Sequence, residues 1–388
     1  MKKALCFIIA SIITFVSLCS CSENSDVSES LEMSGHKLTV YNDFTAEEMT
    51  ATFLNSTTGE SEEITAKSID DEKAEGGKYE FYCDSGKYDK VYFTYNEEIT
   101  DEVAFNDYVT GWLISSLGLF PLSNEEYPDE DSFSVDYEIQ TFDYEDTTKN
   151  IYIWMPDNYE KSSDEKYSVV YMTDGQNLFD RWSTSHGCWN VAQSAMSAMH
   201  LSDAKIIIVG IDDSSANRDS ELTPNLGEST DEGFNDGTGA YYSDFVYETV
   251  VPYIEENYNV YTDAAHNAIC GSSSGGIESF YIGMEHPDKF GTIGALSPAF
   301  MLFTDETWRE YLASKSFEDG YPFVYIYNGD KDDLESMLLV SAESMTDNLK
   351  AIDYPEEKVY TYIYKDGMHN EKYWRQVFPD FLKYMLDK

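Results

Sequence analysis

The chain has 388 residues, with 25 Lys and Arg against 73 Asp and Glu, and a formal net charge of −48. Because affinity for nucleic acid comes from Lys and Arg, this charge excludes nucleic acid as a partner. Hydrophobic residues make up 42% and aromatic residues 15% of the chain, which excludes a chain disordered throughout. We interpret the acidity as a solvated surface that keeps the protein soluble.

The first residues have the pattern of an export signal. Lys2 and Lys3 precede an apolar run at 4–18 that is too short for an ordinary membrane span. The pattern therefore predicts a signal peptide over residues 1–20. An ordinary secretory signal and an uncleaved anchor are the alternatives.

A lipid attachment site is predicted at the end of this segment. Ser20-Cys21 resembles the end of a bacterial lipobox, in which Cys21 would carry the lipid, although Cys19 departs from the usual small or aliphatic residue. The polar stretch at 21–35 then predicts a flexible tether. We expect a protein that is lipid-anchored at the extracellular face of a bacterial cell membrane, or secreted, with the lipid as its only contact with the membrane.

The remaining cysteines do not form a disulfide framework. Cys83, Cys188 and Cys270 are an odd number, and a single Cys188–Cys270 bridge is left open. The spacing of Cys and His residues is not typical of a zinc site. The sequence predicts no metal and no cofactor.

Residues 36–126 are predicted to form a small all-β, sandwich-like domain. Side chains alternate in character at 37–41, 78–82 and 90–95, as half-buried strands require, and Gly-containing turns lie between them. The aromatic residues of these strands are interpreted either as core and cross-strand pairs or as a platform for stacking carbohydrate.

Residues 130–388 are predicted to form an α/β domain after an acidic boundary near 127–131. Apolar strands alternate with helices, which favours a mostly parallel sheet covered by helices on both faces. The predicted strands are 137–144, 150–156, 167–172, 205–210, 267–270, 291–296, 323–327 and 358–364, and the predicted helices are 189–200, 241–258, 276–285, 334–352 and 371–386.

The segment Gly271-Ser272-Ser273-Ser274-Gly275 fits the G-x-S-x-G pattern, with Ser273 at its centre. A predicted strand precedes it and a predicted helix follows, which is the context of a nucleophile on a sharp strand-to-helix turn. The following helix N-terminus favours developing negative charge. The pattern predicts that Ser273 is a nucleophile.

A serine nucleophile needs a base, an acid and an oxyanion hole. His369 follows the last predicted strand, where the histidine of a Ser-acid-His arrangement on such an α/β sheet belongs. His186 is a candidate for substrate contact. Three aspartates follow the penultimate strand, of which Asp332 is the predicted acid and Asp330 the second choice. Asp333 suits a helix N-cap.

Two backbone N–H groups are predicted to form the oxyanion hole. One belongs to Ser274, the residue after the nucleophile. The other belongs to Gly175 or Gln176, in the loop after the strand at 167–172, although Asp174-Gly175 is also a plain turn.

From about Tyr137 onward the chain resembles the putative esterase family of α/β-hydrolases. That family includes enterochelin esterases, feruloyl and acetyl-xylan esterases, S-formylglutathione hydrolase and the mycolyltransferase antigens. The matching blocks occur in family order at 170–180, 207–212, 218–224, 269–277, 286–291, 296–300 and 367–378.

The resemblance implies a triad of Ser273, Asp332 and His369, with Asp332 at the family's usual offset from Gly329. Ser274 departs from the methionine that is common after the nucleophile, but its backbone N–H is unaffected.

The resemblance also bears on substrate contacts. Arg218 and Glu221 would lie above the site, either contacting substrate or pairing with each other. Asn177, in the oxyanion-hole loop, and Trp189, beside His186, are further predicted contacts.

The expected activity is hydrolysis of carboxylic esters, most simply acetyl or feruloyl esters linked to plant polysaccharide. A siderophore esterase or an acyltransferase is the alternative among enzymes, and a non-catalytic carbohydrate-binding surface protein is the alternative of another class. The sequence leaves the oligomeric state open.

Overall fold

The computed structural model describes residues 35–128, 133–179, 187–213, 216–318 and 320–387. The predicted signal peptide, the lipidation site Cys21, nearly all of the tether and the candidate His186 lie outside the described residues. No helix in the described ranges has the length and apolar character needed to span a membrane.

The N-terminal part is built from short strands in two sheets. One sheet has the order β4-β1-β8-β9 and the other β3-β2-β5-β6, with β7 paired to β5. Neighbouring strands are antiparallel except for the parallel pair β1 and β8. The strands are β1 His36–Asn42, β2 Glu48–Leu54, β3 Ser61–Lys67, β4 Lys78–Cys83, β5 Lys90–Tyr95, β6 Glu98–Ile99, β7 Val103–Ala104, β8 Gly111–Ser115 and β9 Gly118–Pro121.

One apolar core lies between these two sheets, which confirms the predicted sandwich-like fold. It joins Phe81 and Trp112 of the first sheet to Phe53 and Phe93 of the second. These four aromatic side chains are completely buried. They are therefore core residues and not a stacking platform, because a platform has to present its rings to solvent.

The C-terminal part is a mostly parallel sheet of eight strands in the order β10-β11-β13-β12-β14-β15-β16-β17. Strands β12 to β17 run parallel to one another. At one end of the sheet, β11 pairs antiparallel with both β13 and β10. The strands are β10 Glu138–Tyr144, β11 Thr147–Trp154, β12 Ser168–Met172, β13 Ile206–Ile211, β14 Asn267–Ser272, β15 Thr292–Leu296, β16 Phe323–Gly329 and β17 Val359–Tyr364.

Helices cover both faces of this sheet, which confirms the predicted α/β class. Val169 and Tyr171 of β12 pack into one core, and Val170 and Met172 pack into the other. The first core is covered by α3–α7 and the second by α1 and α8. The helices are α1 Val191–Leu201, α2 Arg218–Glu221, α3 Gly239–Phe245, α4 Val251–Asn257, α5 Ser274–Glu285, α6 Asp305–Ala313, α7 Asp333–Ala351 and α8 Glu371–Leu386.

The helix predicted at 241–258 is interrupted in the structure. Helices α3 and α4 are joined by a π-helical turn at Val246–Val250, and Pro252 lies in the first turn of α4. Proline has no N–H to donate to the carbonyl four residues earlier, so the regular α-helical ladder cannot continue through this point.

The β-sandwich contacts the α8 side of the large sheet through a buried ion pair, and residues 35–388 form one compact unit. The Nζ of Lys90 in β5 lies 3.1 Å from Oδ2 of Asp380 in α8, and both side chains are almost fully buried. The same carboxylate accepts the hydroxyl of Tyr325 at 3.0 Å. The Lys90 ammonium also lies 4.0 Å from the centre of the Tyr362 ring. One cation therefore links the sandwich to a helix and a strand of the C-terminal part.

We expect Lys90→Met to lower the free energy of unfolding by about 3–5 kcal/mol, because Asp380 would stay buried without its cation. Urea unfolding followed by tryptophan fluorescence measures this. The matched control is Lys372→Met, which removes a lysine 2.8 Å from the partly exposed Asp101. That change should cost about 0–1 kcal/mol. Equal losses for the two variants would show that the buried pair does not hold the two parts together.

Candidate active site

The residues predicted to be catalytic lie at one edge of the large sheet. The parallel strands β12 to β17 all end at this edge. Ser273 directly follows β14, Ser297 directly follows β15, and His369 lies in the loop after β17. Ligand sites of open α/β sheets lie beyond the carboxyl ends of the strands, so this edge is where a site is expected.

Ser273 occupies a strained turn between β14 and α5. Its φ is 58° and its ψ is −124°, a combination that non-glycine residues rarely adopt. A side chain on Gly275 would collide with Thr173 and would come within 2.7 Å of the Asp174 carboxylate. The glycine two positions after Ser273 is therefore required by close packing against the loop that follows β12.

His369 is paired with a glutamate and not with an aspartate. Its Nδ1 lies 3.0 Å from Oε1 of Glu335, which is fully buried. Because an ionised carboxylate only accepts hydrogen bonds, Nδ1 is the donor and carries the proton of the neutral ring. The lone pair is then on Nε2, which is the atom that can act as a base.

The carboxylate that contacts the ring of His369 is Glu335 and not Asp332, the predicted acid. Asp332 is the N-cap of α7, and its Oδ1 accepts the backbone N–H of Glu335 at 2.8 Å. Its Oδ2 accepts the backbone N–H of His369 at 2.7 Å, so the carboxylate faces the main chain and not the ring nitrogen. Burial alone would raise the pKa of Asp332, but these backbone donors outweigh it and lower the pKa.

The two other aspartates of this loop do not contact the ring nitrogen either. Oδ1 of Asp330, the second choice, accepts the backbone N–H of Asp366 at 2.6 Å. Asp333 is the first residue of α7, one position after the cap that it was predicted to form.

The predicted oxyanion-hole donors occupy first turns of helices. Ser274 is the first residue of α5, and Gly175 and Gln176 open a short 3-10 turn, Gly175–Asn177. N–H groups in a first turn have no acceptor within their own helix and are available to an anion. A Cβ on Gly175 would lie 2.5 Å from the carbonyl carbon of Gly210, so only glycine lets this loop approach β13.

Arg218 and Asp219 together link this loop to the turn of Ser273. Its Nη2 donates to Oδ2 of Asp174 at 2.8 Å, and its Nε donates to the other oxygen. Asp219, beside it, accepts the Ser274 hydroxyl at 3.1 Å. Burial alone would lower the pKa of Arg218. The neighbouring carboxylates of Asp174, Asp213 and Asp219 raise this pKa, so the guanidinium stays charged. Arg218 thus holds the loop that carries the predicted oxyanion-hole donors Gly175 and Gln176.

Two predicted substrate contacts are corrected by burial. Glu221 is buried and pairs with Lys149, whose Nζ lies 2.8 Å away, and not with Arg218. Trp189 is 2% exposed and packs against the ring of Trp374, with 5.4 Å between the ring centres. Both side chains therefore lie in the interior and not at the surface. Asn177 donates to Glu371 at 3.4 Å, and its contact with substrate stays a prediction.

The sequence left one disulfide open and predicted no metal. Cys83, Cys188 and Cys270 are buried and reduced, so the Cys188–Cys270 bridge that the sequence left open is not formed. In the described parts of the chain, no group of three or more His, Cys, Asp or Glu side chains is arranged to hold a metal ion. The expected absence of a metal and of a cofactor stays a prediction.

Comparison with known proteins identifies the class. A family model described as "Putative esterase" matches residues 145–385, more than half of the chain. The chain therefore belongs to this esterase family, and it is a carboxylic ester hydrolase with the α/β-hydrolase fold.

Individual relatives are more distant. Protein YbbA of Bacillus subtilis (strain 168), which is described as uncharacterized, is 26% identical over 243 residues, covering 61% of this chain and 92% of YbbA. The enterobactin esterase FES from Shigella flexneri, solved in the presence of enterobactin, has a TM-score of 0.51 at 16% identity, covering 89% of each chain. An IroE-like serine hydrolase from Shewanella oneidensis has a TM-score of 0.50 at 17% identity, covering 64% of this chain and 79% of its own.

At these low identities, the likeness to the two solved structures shows a shared fold. The match to the enterobactin esterase covers more of this chain than the hydrolase part alone and so includes strands of the N-terminal sandwich.

Proposed function

We propose that the protein is a serine esterase with a triad of Ser273, His369 and Glu335. The observation that carries this proposal is the Nδ1–Oε1 contact of 3.0 Å between His369 and the buried Glu335. It lies at the same sheet edge as the strained turn of Ser273. A nucleophile on such a turn and a histidine oriented by a carboxylate are the two parts that acyl transfer requires.

The reaction proceeds in two acyl-transfer steps. His369 Nε2 takes the proton of the Ser273 hydroxyl as the oxygen attacks the ester carbonyl, and the negative charge of Glu335 stabilises the imidazolium. The N–H of Ser274, with that of Gly175 or Gln176, holds the oxyanion. The imidazolium then protonates the leaving alcohol, and a water molecule activated by the same nitrogen releases the acid.

The proposed substrates are acetyl or feruloyl esters linked to plant polysaccharide. The predicted export and tether support a substrate outside the cell. The net charge of −48 favours a neutral substrate over an anionic one such as a ferric siderophore. The likeness to the enterobactin esterase keeps siderophore hydrolysis as the second candidate. Membership of the esterase family disfavours the non-catalytic binding protein.

A substrate panel separates these candidates. Acetyl-xylan, methyl ferulate and enterobactin are incubated with the purified protein and with Ser273→Ala, and the released acid is quantified. The proposal expects Ser273-dependent release from acetyl-xylan or methyl ferulate. Turnover of enterobactin alone would replace the polysaccharide ester by the siderophore, and Ser273-independent release would contradict the triad.

We also propose that the mature protein is anchored through a lipid on Cys21. The lipobox-like Ser20-Cys21 pair and the polar stretch after it support this proposal. We expect the full chain expressed in a bacterium to sediment with membranes and Cys21→Ala to lose this association. A Cys21→Ala protein that sediments like the wild type would contradict lipid attachment at this residue.

A further inference from the structure

One buried corner of the chain contacts both the nucleophile turn and the acid. The corner consists of residues 296–299, at the end of β15, and we call it the Ser297 corner. The carbonyl of Leu296 accepts the backbone N–H of Ser273 at 2.9 Å, and the N–H of Ala299 donates to the carbonyl of Ser273 at 3.2 Å. Ser297 itself is fully buried and has a φ of 45°. A non-glycine residue in this strained region is retained only where its surroundings fix it.

The hydroxyl of Ser297 lies between an indole and the acid. Its Oγ is 2.5 Å from Oε1 of Glu335 and 2.9 Å from Nε1 of Trp374. The indole N–H can only donate, so the Ser297 oxygen accepts from Trp374. The single hydroxyl proton is then directed to Glu335. Chemistry therefore fixes the direction of both hydrogen bonds.

The oxygen that receives this proton is the one that faces the histidine. Oε1 of Glu335 contacts both the Ser297 hydroxyl and Nδ1 of His369, while Oε2 accepts the backbone N–H of Gly329 at 2.8 Å. The Trp374 ring also packs edge-on against the imidazole, with 5.1 Å between the ring centres. Three donors from three segments thus fix the rotation of one buried carboxylate.

We propose that Ser297 is a positioning residue of the hydrolase, oriented by Trp374 and acting through Glu335. This inference rests on the triad proposed above. Ser297 fixes the carboxylate in the orientation that holds the Nδ1–H of His369 and turns Nε2 toward the nucleophile. Through Leu296, the same corner also fixes the main chain of Ser273, so the acid and the nucleophile share one support.

The test is a double-mutant cycle on p-nitrophenyl acetate. Ser297→Ala keeps the Cβ and removes only the hydroxyl, and we expect it to lower kcat about tenfold with KM within about twofold of the wild type. In a Glu335→Gln background, the same substitution should lower kcat no further, because the group through which Ser297 acts has already been changed. Thermal unfolding of each variant measures whether it is folded.

Trp374→Phe provides an independent variant. It keeps the Ser297 hydroxyl but removes the N–H that orients it, so it should lower kcat in the wild-type background and much less in a Glu335→Gln background. This arm tests the proposal even if Ser297→Ala fails to fold.

An unchanged kcat in Ser297→Ala, or equal losses with and without Glu335→Gln, would overturn the positioning role while leaving the triad intact. Full hydrolysis by Ser273→Ala would instead overturn the proposed function.

Discussion

Glu335→Gln is expected to lower kcat for p-nitrophenyl acetate by about 10³–10⁴-fold, with little change in KM. The amide keeps the size of the side chain but loses the negative charge that stabilises the imidazolium. Its NH2 group can also face His369 Nδ1, which would favour the wrong tautomer of the ring. Steady-state kinetics measure the loss, and thermal unfolding shows that the variant is folded.

Asp332→Asn is the matched control, because Asp332 caps the helix that carries Glu335 and was the predicted acid. Its contacts are the backbone N–H groups of Glu335 and His369, which an amide oxygen can still accept in part. We expect a loss of about 1 kcal/mol in stability, as for a weakened helix cap, and less than about a tenfold loss in kcat. A larger kinetic effect at Asp332 than at Glu335 would contradict the assignment of the acid.

The second large effect is expected at the nucleophile. Ser273→Ala should reduce kcat by at least about 10⁴-fold, because no other hydroxyl takes the place of the attacking oxygen. The backbone strain at a φ of 58° is unchanged by the substitution, since alanine also carries a Cβ. The residual rate comes from the oxyanion hole and from substrate binding alone.

Ser272→Ala controls for disturbance of the turn. Ser272 is the last residue of β14 and is buried next to the nucleophile. We expect removal of the Ser272 hydroxyl to change kcat less than about tenfold, which is the size of effect expected from losing an ordinary buried hydroxyl. Comparable losses in the two variants would indicate damage to the turn instead of loss of the nucleophile.

The positions of Ser273 and His369 could be predicted because each directly follows, or lies shortly after, a strand of the sheet. An apolar strand, a G-x-S-x-G turn and a helix are all local features, and they place Ser273 without any long-range information. His369 follows from the same rule applied to the last strand. The parallel pairing of β14 to β17 then brings these strand ends to one edge.

The sequence predicted Asp332 and not Glu335 beside His369, because the direction of the Glu335 side chain depends on where α7 begins. Asp332-Asp333-Leu334-Glu335 has the spacing of a helix cap with an acidic residue three positions later, a signal that marks Asp332 as the cap. The structure has this cap, and one turn of α7 carries Glu335 into the interior. The spacing was available in the sequence, but the direction of the Glu335 side chain depends on Ser297, Gly329 and His369, which are distant along the chain.

The partners of Arg218 and Glu221 could not be predicted for a similar reason. The two residues are three positions apart on α2, where a local pair is plausible. Instead, Asp174 contacts Arg218 and Lys149 contacts Glu221, and both partners come from other loops and strands. Trp189 is likewise of a residue type that often binds ligands, and only the position of α8 shows that its ring is buried against Trp374.

Labelling with diisopropyl fluorophosphate measures whether Ser273 is the residue that forms the covalent bond to the acyl group. We predict one adduct per chain, located by peptide mass spectrometry on Ser273, with loss of esterase activity in proportion to labelling. His369→Ala should label far more slowly, because the serine has lost its base. Labelling of another residue in step with inactivation, or full activity after Ser273 is labelled, would show that Ser273 is not the nucleophile.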